Sequence, residues 1–269
     1  MIQVLTIAGS DSGGGAGVQA DIKSIHANGG FAMSVLTSVT AQNSLEITRA
    51  YELPIDLIEA QFDAVFTDFE VSAVKTGMLS SSTVVQTVAR KLGEIEAKNI
   101  VVDPVIFSKS KYSLLETEAI DILKATLIPL ATLITPNLHE AESLAECKIE
   151  TLDDAKRAAK VIHNYGCKAV LVKGGHLPGN RSIDVLYNEG EFTLFDEARI
   201  ETKNTHGTGC TYSAAIATRL AQGLNMVEAV ETAKEYITNA IRDALDIGHG
   251  HGPTNHFYFL DRDWRSAKS

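Results

Sequence analysis

The sequence predicts an α/β fold with a mostly parallel sheet covered by helices on both faces. Short runs rich in β-branched residues alternate with longer segments whose apolar residues recur at helical spacing, a pattern typical of βαβ units. Right-handed crossovers between parallel strands then place helices on the sheet. With 269 residues and 45% hydrophobic side chains, the chain can form one large α/β domain or two small ones, with a sizeable core.

The strands are predicted from apolar runs bounded by glycine, proline or polar residues. In chain order they are 3–9, 31–44 with a loop, 71–79 with a turn, 99–106, 132–137, 169–175, and a hairpin over 184–200 that turns at 188–190. The helices are predicted from apolar residues three and four positions apart, with a glycine pair ending the first and a serine starting the third. They are 16–30, 54–69, 81–97, 115–131, 151–167, 207–223 and about 226–246.

Composition excludes several classes of partner. The chain has 24 basic and 34 acidic residues, a net charge of −10, and no basic run of the kind that binds nucleic acid. Its apolar stretches are broken before the roughly 20 residues that a bilayer requires, and its start lacks the basic region of a signal peptide. Three widely spaced cysteines suit a reducing cytoplasm and give neither a disulfide framework nor a zinc pattern.

The first candidate site is the glycine-rich segment AGSDSGGGAGVQAD, which follows a strand and opens a helix as phosphate-binding loops do. It is not GxGxxG in register, since position 18 is Val, and it is not a Walker A loop, since Gly-Lys-Ser/Thr is absent. Its glycines would let a ligand approach the backbone, and Asp11 and Asp21 could bind a polar group. A plain tight turn is the alternative.

The second candidate is NTHGTGC, residues 204–210, at the start of a helix. Backbone amides and the helix dipole make such a loop an anion site. Cys210 lies in the first turn, where we expect its thiol pKa to fall and the thiolate to serve as a base for a substrate hydroxyl. The alternative is a buried, inert cysteine.

Charged residues follow three further strands. Asp103 and Glu140 could hold Mg²⁺ through carboxylate oxygens and waters, although an Asp-Pro turn and a helix capping box with Asn137 are alternatives. Lys173 could approach nucleotide phosphates or could be a solvated strand end. The histidines of GHGHGPTNH, residues 248–256, suggest a metal, but a flexible tail is favoured because interspersed glycines fix no geometry.

Together these segments resemble the hydroxymethylpyrimidine/phosphomethylpyrimidine kinase family of thiamine biosynthesis, in the ribokinase-like superfamily. The resemblance rests on TIAGSDSGGGAGVQADIK, LTSVTAQNS, VKTGML, VVDPV, TPNLHEAE, VLVKGGH, NTHGTGC and GHGHGPTNH, in that order over about residues 3–257. It implies one three-layer α/β/α domain over residues 1–269, with a flap near 105–114. It also implies ATP and Mg²⁺ as cofactors, a possible homodimer, and phosphorylation of 4-amino-5-hydroxymethyl-2-methylpyrimidine and then of its monophosphate.

The resemblance also assigns site residues. The pyrimidine pocket would be lined by Asp21, Gln42, Met78, Gly9 and Gly17. The anion hole would be formed by Gly207, Thr208, Gly209 and Cys210. Gln42 would read the aminopyrimidine edge, because its amide both donates and accepts hydrogen bonds. Cys210 would be the base, replacing the aspartate of sugar-kinase relatives.

The nucleotide side is assigned in the same way. Asp103 and Glu140 would hold Mg²⁺. Lys173, Gly175 and His176 would face the ATP phosphates, and a helix over 225–246 would border the adenine. After VVDPV the chain continues IFSKSKYSLL, with Lys111-Tyr112 where Gly-Asp is common in the family, so the behaviour of the flap and the second phosphorylation do not follow from the resemblance.

Three other functions stay open. A pyridoxal or pyridoxine kinase shares most motifs, but that branch tends to have Met at the position of Gln42 and an extra cysteine in the flap, neither of which is present. A cysteine-dependent hydrolase would use Cys210 and His206 and would need a third orienting residue. A non-catalytic ligand sensor would not need the candidate base and metal ligands.

Overall fold

A computed structural model describes residues 1–106, 117–175 and 179–260. In these ranges one nine-stranded sheet runs in the order β3-β2-β1-β4-β5-β6-β7-β8-β9. The strands are β1 Gln3–Asp11, β2 Phe31–Gln42, β3 Ile47–Glu52, β4 Val71–Thr76, β5 Ile100–Val102, β6 Leu133–Ile134, β7 Ala169–Val172, β8 Arg181–Asn188 and β9 Glu191–Ala198. Strands β1, β2 and β4 to β7 are parallel, whereas β3, β8 and β9 pair antiparallel.

Helices cover both faces of this sheet. They are α1 Gly17–Ala27, α2 Ile55–Phe66, α3 Ser82–Glu94, α4 Thr117–Ile122, α5 Leu138–Ala145, α6 Leu152–His163, α7 Thr208–Ala221 and α8 Met226–Arg242. Successive residues of a strand point to opposite faces. Accordingly, Val4 packs in a core with α1, α7 and α8, and Leu5 packs in a second core with α2 to α6. The predicted three-layer α/β/α sandwich is confirmed.

The strand order locates a crevice. The chain runs from β1 outward to β2 and β3, then returns to β4 on the other side of β1. Right-handed crossovers in opposite directions place α1 and α2 on opposite faces, so the loops after β1 and β4 diverge. Ligands bind at such a switch point, beyond the carboxyl ends of the strands.

Most predicted elements are confirmed, and the hairpin turn is one of them. Glu189 and Gly190 have φ of 52° and 85°, as a two-residue hairpin turn requires.

Three features differ from the prediction. Strand β3 was missed because its edge position leaves most of its residues exposed. The eight-residue α5 was foreseen only as a possible capping box. The helix expected over 115–131 changes at Leu123–Leu127 into a π-turn and at Ile128–Leu130 into a 3₁₀ turn, next to Pro129.

No helix in the described ranges combines the length and apolar character needed to cross a bilayer. Most of the flap expected near 105–114 lies outside the described residues.

Candidate active site

One cavity of about 1550 Å³ opens beyond the carboxyl ends of the parallel strands. We call residues 9–17 with Gln42, Met78 and His206 its glycine-loop end, and Asp103, Glu140, Lys173 and Gly175 its lysine end. The segment 207–210 lies between the two ends. The cavity lining includes the predicted residues Gly9, Gly17, Gln42, Met78, Asp103, Glu140, Lys173, Gly175, Gly207, Thr208, Gly209 and Cys210. His176 lies outside the described residues.

The glycine loop is organised by a carboxylate and is more than a tight turn. Asp11, the last residue of β1, accepts hydrogen bonds from the amides of Gly13 at 2.7 Å, Gly15 at 3.0 Å and Ala16 at 2.8 Å. Burial opposes its charge, but the hydrogen bonds from His206 and these amides hold the pKa of Asp11 below its usual range. The loop is therefore folded around an ionised aspartate.

The imidazole of His206 contacts this aspartate and also lies beside the Gln42 amide. The Nε2 atom of His206 lies 2.9 Å from Oδ2 of Asp11 and 3.3 Å from Nε2 of Gln42. Asp11 and His206 are 195 positions apart, and no local sequence pattern predicts a contact over that separation. The hydrolase hypothesis needs His206 beside Cys210, whereas the imidazole faces Asp11.

The prediction that Asp21 lines a pyrimidine pocket is wrong for this structure. Its side chain is fully buried below the cavity and binds Nζ of Lys75 at 2.9 and 3.0 Å and the Thr6 hydroxyl at 2.5 Å. Asp21 lies in α1, whose inner face packs on the sheet rather than toward the mouth. Burial opposes a charged lysine, but the adjacent carboxylate keeps the pKa of Lys75 above its usual range.

The start of α7 joins the two ends of the cavity. Gly207 has φ of 75°, and a Cβ there would meet the Gly15 carbonyl oxygen at 1.8 Å, so only glycine fits. A Cβ on Gly209 would lie 3.3 Å from Nζ of Lys173. Within the described chain no group accepts a hydrogen bond from the amides of Gly209 and Cys210. Amides without an acceptor at a helix start suit an anion, and both residues line the cavity.

Cys210 lines the cavity and is partly exposed, so it is not the inert buried cysteine of the alternative. The expected fall in its pKa is nevertheless wrong. Burial raises the pKa of the Cys210 thiol to about 11, although the charge of Lys75 and the amide of Gly17 act in the opposite direction. Desolvation outweighs the helix dipole here, and the nearby carboxylates of Asp21 and Asp103 also disfavour the thiolate.

At the lysine end, Nζ of Lys173 lies 2.8 Å from Oδ1 of Asp103, and the Thr135 hydroxyl lies 3.3 Å from the same oxygen. Burial disfavours the carboxylate, but the charges of Lys173 and Lys75 hold the pKa of Asp103 below its usual range. Lys173 is thus a partly buried partner of an acid and not a solvated strand end.

Glu140 forms the capping box that was the alternative to a metal ligand, and its role as a metal ligand stays a prediction. Its carboxylate accepts the Asn137 amide at 2.7 Å, and the Asn137 side chain accepts the Glu140 amide at 3.0 Å, a complete capping box. It also lines the cavity. Burial raises the pKa of Glu140 to about 8, and the nearby charge of Asp103 adds to this effect while Lys173 opposes it.

The carboxyl groups of Asp103 and Glu140 follow neighbouring strands β5 and β6. Oxygen donors from two carboxylates, completed by water or phosphate oxygens, suit Mg²⁺, so the donor set fits this ion. In residues 1–106, 117–175 and 179–260, no group of three or more His, Cys, Asp or Glu could hold a metal by itself.

A second buried ion pair, missed in the sequence, extends the lysine end. Lys234 of α8 binds Oδ2 of Asp184 at 2.7 Å, and Oδ1 of Asp184 accepts the Gly174 amide at 2.9 Å. A Cβ on Gly174 would meet the Ile183 carbonyl oxygen at 1.7 Å, so the pair holds a turn that requires glycine. Ile237 and Ile241 of α8 also line the cavity.

The end of the histidine-rich segment is packed, so its interpretation as a flexible tail is wrong. His256 is buried and lies 2.9 Å from the Thr211 hydroxyl, and burial lowers its pKa to about 4. The Gly252 carbonyl accepts the His206 amide at 3.0 Å. Residues 252–256 therefore pack against the start of α7.

Comparisons with known proteins agree with one family. The sequence model described as phosphomethylpyrimidine kinase matches residues 11–255. The chain is 45% identical to the hydroxymethylpyrimidine/phosphomethylpyrimidine kinase of Bacillus subtilis over 96% of this chain and 95% of that protein. It is 48% identical to the thiamine biosynthesis bifunctional protein ThiED of Geobacter sulfurreducens, covering 94% of this chain but only 52% of that longer protein.

A solved structure shares the fold. The pyridoxal kinase of Bacillus subtilis, determined as an ADP complex, is 38% identical with a TM-score of 0.91, over 97% of this chain and 99% of that one.

Proposed function

The chain belongs to the phosphomethylpyrimidine kinase family, and we propose that it transfers the γ-phosphoryl group of ATP to the hydroxymethyl group of 4-amino-5-hydroxymethyl-2-methylpyrimidine and then phosphorylates the monophosphate. The observation that carries the proposal is that the amides of Gly209 and Cys210 have no acceptor in the described part of the chain and belong to residues that line the same cavity as Lys173. Phosphoryl transfer is catalysed mainly by positioning and by compensation of charge.

Charge compensation would come from both sides of the transferred group. The α7 amides would donate hydrogen bonds to its oxygens, and Lys173 would neutralise part of its charge, since the Cβ position of Gly209 lies 3.3 Å from Nζ. The Asp184–Lys234 pair would hold the Gly174–Gly175 turn against the phosphates. The α8 residues Ile237 and Ile241 would contact the adenine.

Asp103 and Glu140 would hold Mg²⁺, which supplies charge neutralisation on the phosphate oxygens when bound. Ionisation of Glu140 is a condition for this role. Because a cation favours the carboxylate form, metal binding and loss of the Glu140 proton would be coupled.

Cys210 would accept the proton of the substrate hydroxyl. Its thiol pKa of about 11 means that the thiolate is a minor form at neutral pH. Only the thiolate can accept the hydroxyl proton, and accepting it returns the neutral thiol. Lys75 and the Gly17 amide would stabilise that thiolate before the transfer. The role of Asp21 in this arrangement is to hold Lys75.

The acceptor would bind at the glycine-loop end. Gln42 would pair with the aminopyrimidine edge, and Met78 would pack on the ring. A Cβ on Gly9 would meet Cε of Met78 at 2.5 Å, so glycine at this position leaves room for the methionine. Location in the cytoplasm and assembly as a homodimer stay predictions.

Phosphorylation of pyridoxal is a second candidate, because a pyridoxal kinase shares 38% identity and a TM-score of 0.91 with this chain. Gln42 favours the pyrimidine. The hydrolase is disfavoured, since His206 faces Asp11 at 2.9 Å and the thiol pKa is raised rather than lowered.

The direct test is phosphorus NMR of purified protein with ATP, Mg²⁺ and the hydroxymethylpyrimidine, run in parallel with pyridoxal. We expect the pyrimidine monophosphate first and the diphosphate later. Accumulation of monophosphate alone would remove the second phosphorylation, and turnover of pyridoxal alone would replace the substrate.

A further inference from the structure

His206 has no role in the proposed chemistry, yet its imidazole touches both Asp11 and Gln42. Its position is fixed by the main chain. The His206 amide donates to the Gly252 carbonyl at 3.0 Å, and a Cβ on Gly15 would meet Cδ2 of the ring at 2.5 Å. The ring is therefore held against the glycine loop.

The protonation of this ring follows from its neighbour. Asp11 accepts three backbone amides, and its pKa is held below the usual range, so it is ionised and can only accept from His206. The Nε2 atom must then carry a hydrogen that is donated to Asp11 at 2.9 Å. The same Nε2–H group lies 3.3 Å from one end of the Gln42 amide.

This hydrogen decides the orientation of the Gln42 amide. An NH₂ group 3.3 Å from Nε2 would face another donor. The opposite orientation places Oε1 toward the Nε2 hydrogen and the NH₂ group toward the Thr40 hydroxyl, 3.2 Å from the other amide atom. Thr40 donates its own hydrogen to the Ser10 carbonyl at 2.9 Å, so its oxygen is free to accept.

We infer that His206 is a positioning residue that fixes the Gln42 amide with Oε1 toward the imidazole, so that Gln42 presents one defined donor and acceptor pattern to the substrate. The inference rests on the proposed function for the identity of that substrate. A bidentate partner with a ring nitrogen beside an amino group matches such an amide. An analogue with an oxo group beside a ring N–H has the reversed pattern.

The test compares binding of 4-amino-5-hydroxymethyl-2-methylpyrimidine with binding of its 4-oxo analogue, measured by calorimetry without ATP. We expect His206→Leu to lower the preference for the amino compound about tenfold or more, because the amide is then free to rotate. His206→Gln, which returns an N–H donor near Asp11, should recover part of the preference. His163→Leu, on the distant helix α6, should leave it unchanged.

A purely structural role of His206 would weaken both ligands equally, and an unchanged preference in His206→Leu would overturn the inference. Nitrogen NMR of the ligand-free protein gives a second readout that needs no turnover. We expect His206 to be protonated at Nε2, and a ring protonated only at Nδ1 would overturn the inference even if the kinase activity is present. If the wild-type protein binds neither pyrimidine, the proposed substrate fails, and the NMR result still decides the state of His206.

Discussion

The two ends of the cavity differ in how the charge of a buried carboxylate is stabilised. At the glycine-loop end, Asp11 accepts hydrogen bonds from three amides and faces His206, and its pKa is lowered. At the lysine end, Asp103 and Glu140 share the field of Lys173, and the pKa of Glu140 is raised to about 8.

The two ends therefore suit different tasks. The glycine-loop end suits recognition of the acceptor, and the lysine end suits binding of charged groups. A network with satisfied hydrogen bonds is rigid and suits selection of a neutral ring. At the lysine end Asp103 is compensated by lysine charges but Glu140 is not, so this end favours added positive charge, as a metal with a nucleotide would supply. The α7 start contacts both ends, so the acceptor and the phosphoryl group would meet there.

The largest effect is expected where the two ends meet. Cys210→Ala should lower turnover by on the order of 10² to 10⁴, because the hydroxyl loses its proton acceptor. Steady-state kinetics with the pyrimidine measures this. Cys167→Ala, a buried cysteine bonded only to main chain in the described residues, should keep its turnover. Near-normal turnover in Cys210→Ala would remove the base assignment but not the kinase.

The second-largest effect is expected at the lysine end and should not extend to the glycine-loop end. Lys173→Met should lower kcat by about 10² to 10³, because it removes charge that stabilises the transferring phosphoryl group. The affinity for the pyrimidine, measured by calorimetry, should change little. Lys168→Met, which removes an exposed lysine before β7, is the matched control. A loss of pyrimidine affinity as large as the loss of kcat would show that the two ends are not separate.

The acids of the lysine end should also govern pH dependence. The folded pKa of Glu140, about 8, lies above the ordinary value of 4.5, so folding favours the protonated form. Its contribution to stability is complete below pH 4.5 and is lost as pH rises through about 8. Relative to Glu140→Gln, which keeps the capping box, the wild type should lose roughly 3 to 4 kcal/mol of unfolding free energy between pH 5 and 8.

Urea unfolding of both proteins at several pH values measures that difference. Mg²⁺ should reduce it at pH 8, because a bound cation favours the carboxylate. A difference that grows in the opposite direction, with the wild type gaining stability as pH rises, would contradict a raised pKa.

At the glycine-loop end the expected effect is on selectivity. Gln42→Met should shift the ratio of kcat/KM for the pyrimidine over pyridoxal by about tenfold toward pyridoxal, since the donor and acceptor of the amide are lost. A coupled assay of ADP release with both substrates measures the ratio. An unchanged ratio would remove Gln42 as the residue that reads the ring.

The smallest effect concerns the segment that closes the α7 start. The Tyr236 hydroxyl donates to the His256 carbonyl at 2.9 Å in a buried site. Tyr236→Phe should cost about 1 kcal/mol of stability with little change in either end's chemistry, as measured by urea unfolding and kcat. Tyr51→Phe, at a largely exposed side chain, is the control, and an equal loss there would show that the segment is not held by this bond.

The position of the site could be predicted from the sequence more accurately than its ion pairs and pKa shifts. Parallel strands bring their carboxyl ends to one edge, so residues following β1, β5 and β7 could be placed together from chain order alone. The lysine–aspartate pairs could not, because Asp21 and Lys75 are 54 positions apart and Asp184 and Lys234 are 50 apart. Pairing over such separations depends on helix placement.

Burial explains the remaining errors. The helix dipole predicted a lowered thiol pKa at Cys210, but desolvation depends on packing by α1 and β4, which the local sequence does not reveal. The same applies to residues 252–256, where glycine and histidine predicted mobility although the segment packs on α7.

The most direct test of the central claim is a crystal structure with ADP, Mg²⁺, the hydroxymethylpyrimidine and aluminium fluoride as a mimic of the transferring phosphoryl group. We expect fluoride atoms within hydrogen-bond distance of the Gly209 and Cys210 amides and the substrate hydroxyl beside Sγ of Cys210. An aluminium fluoride group bound elsewhere, or a thiol directed away from the hydroxyl, would contradict it.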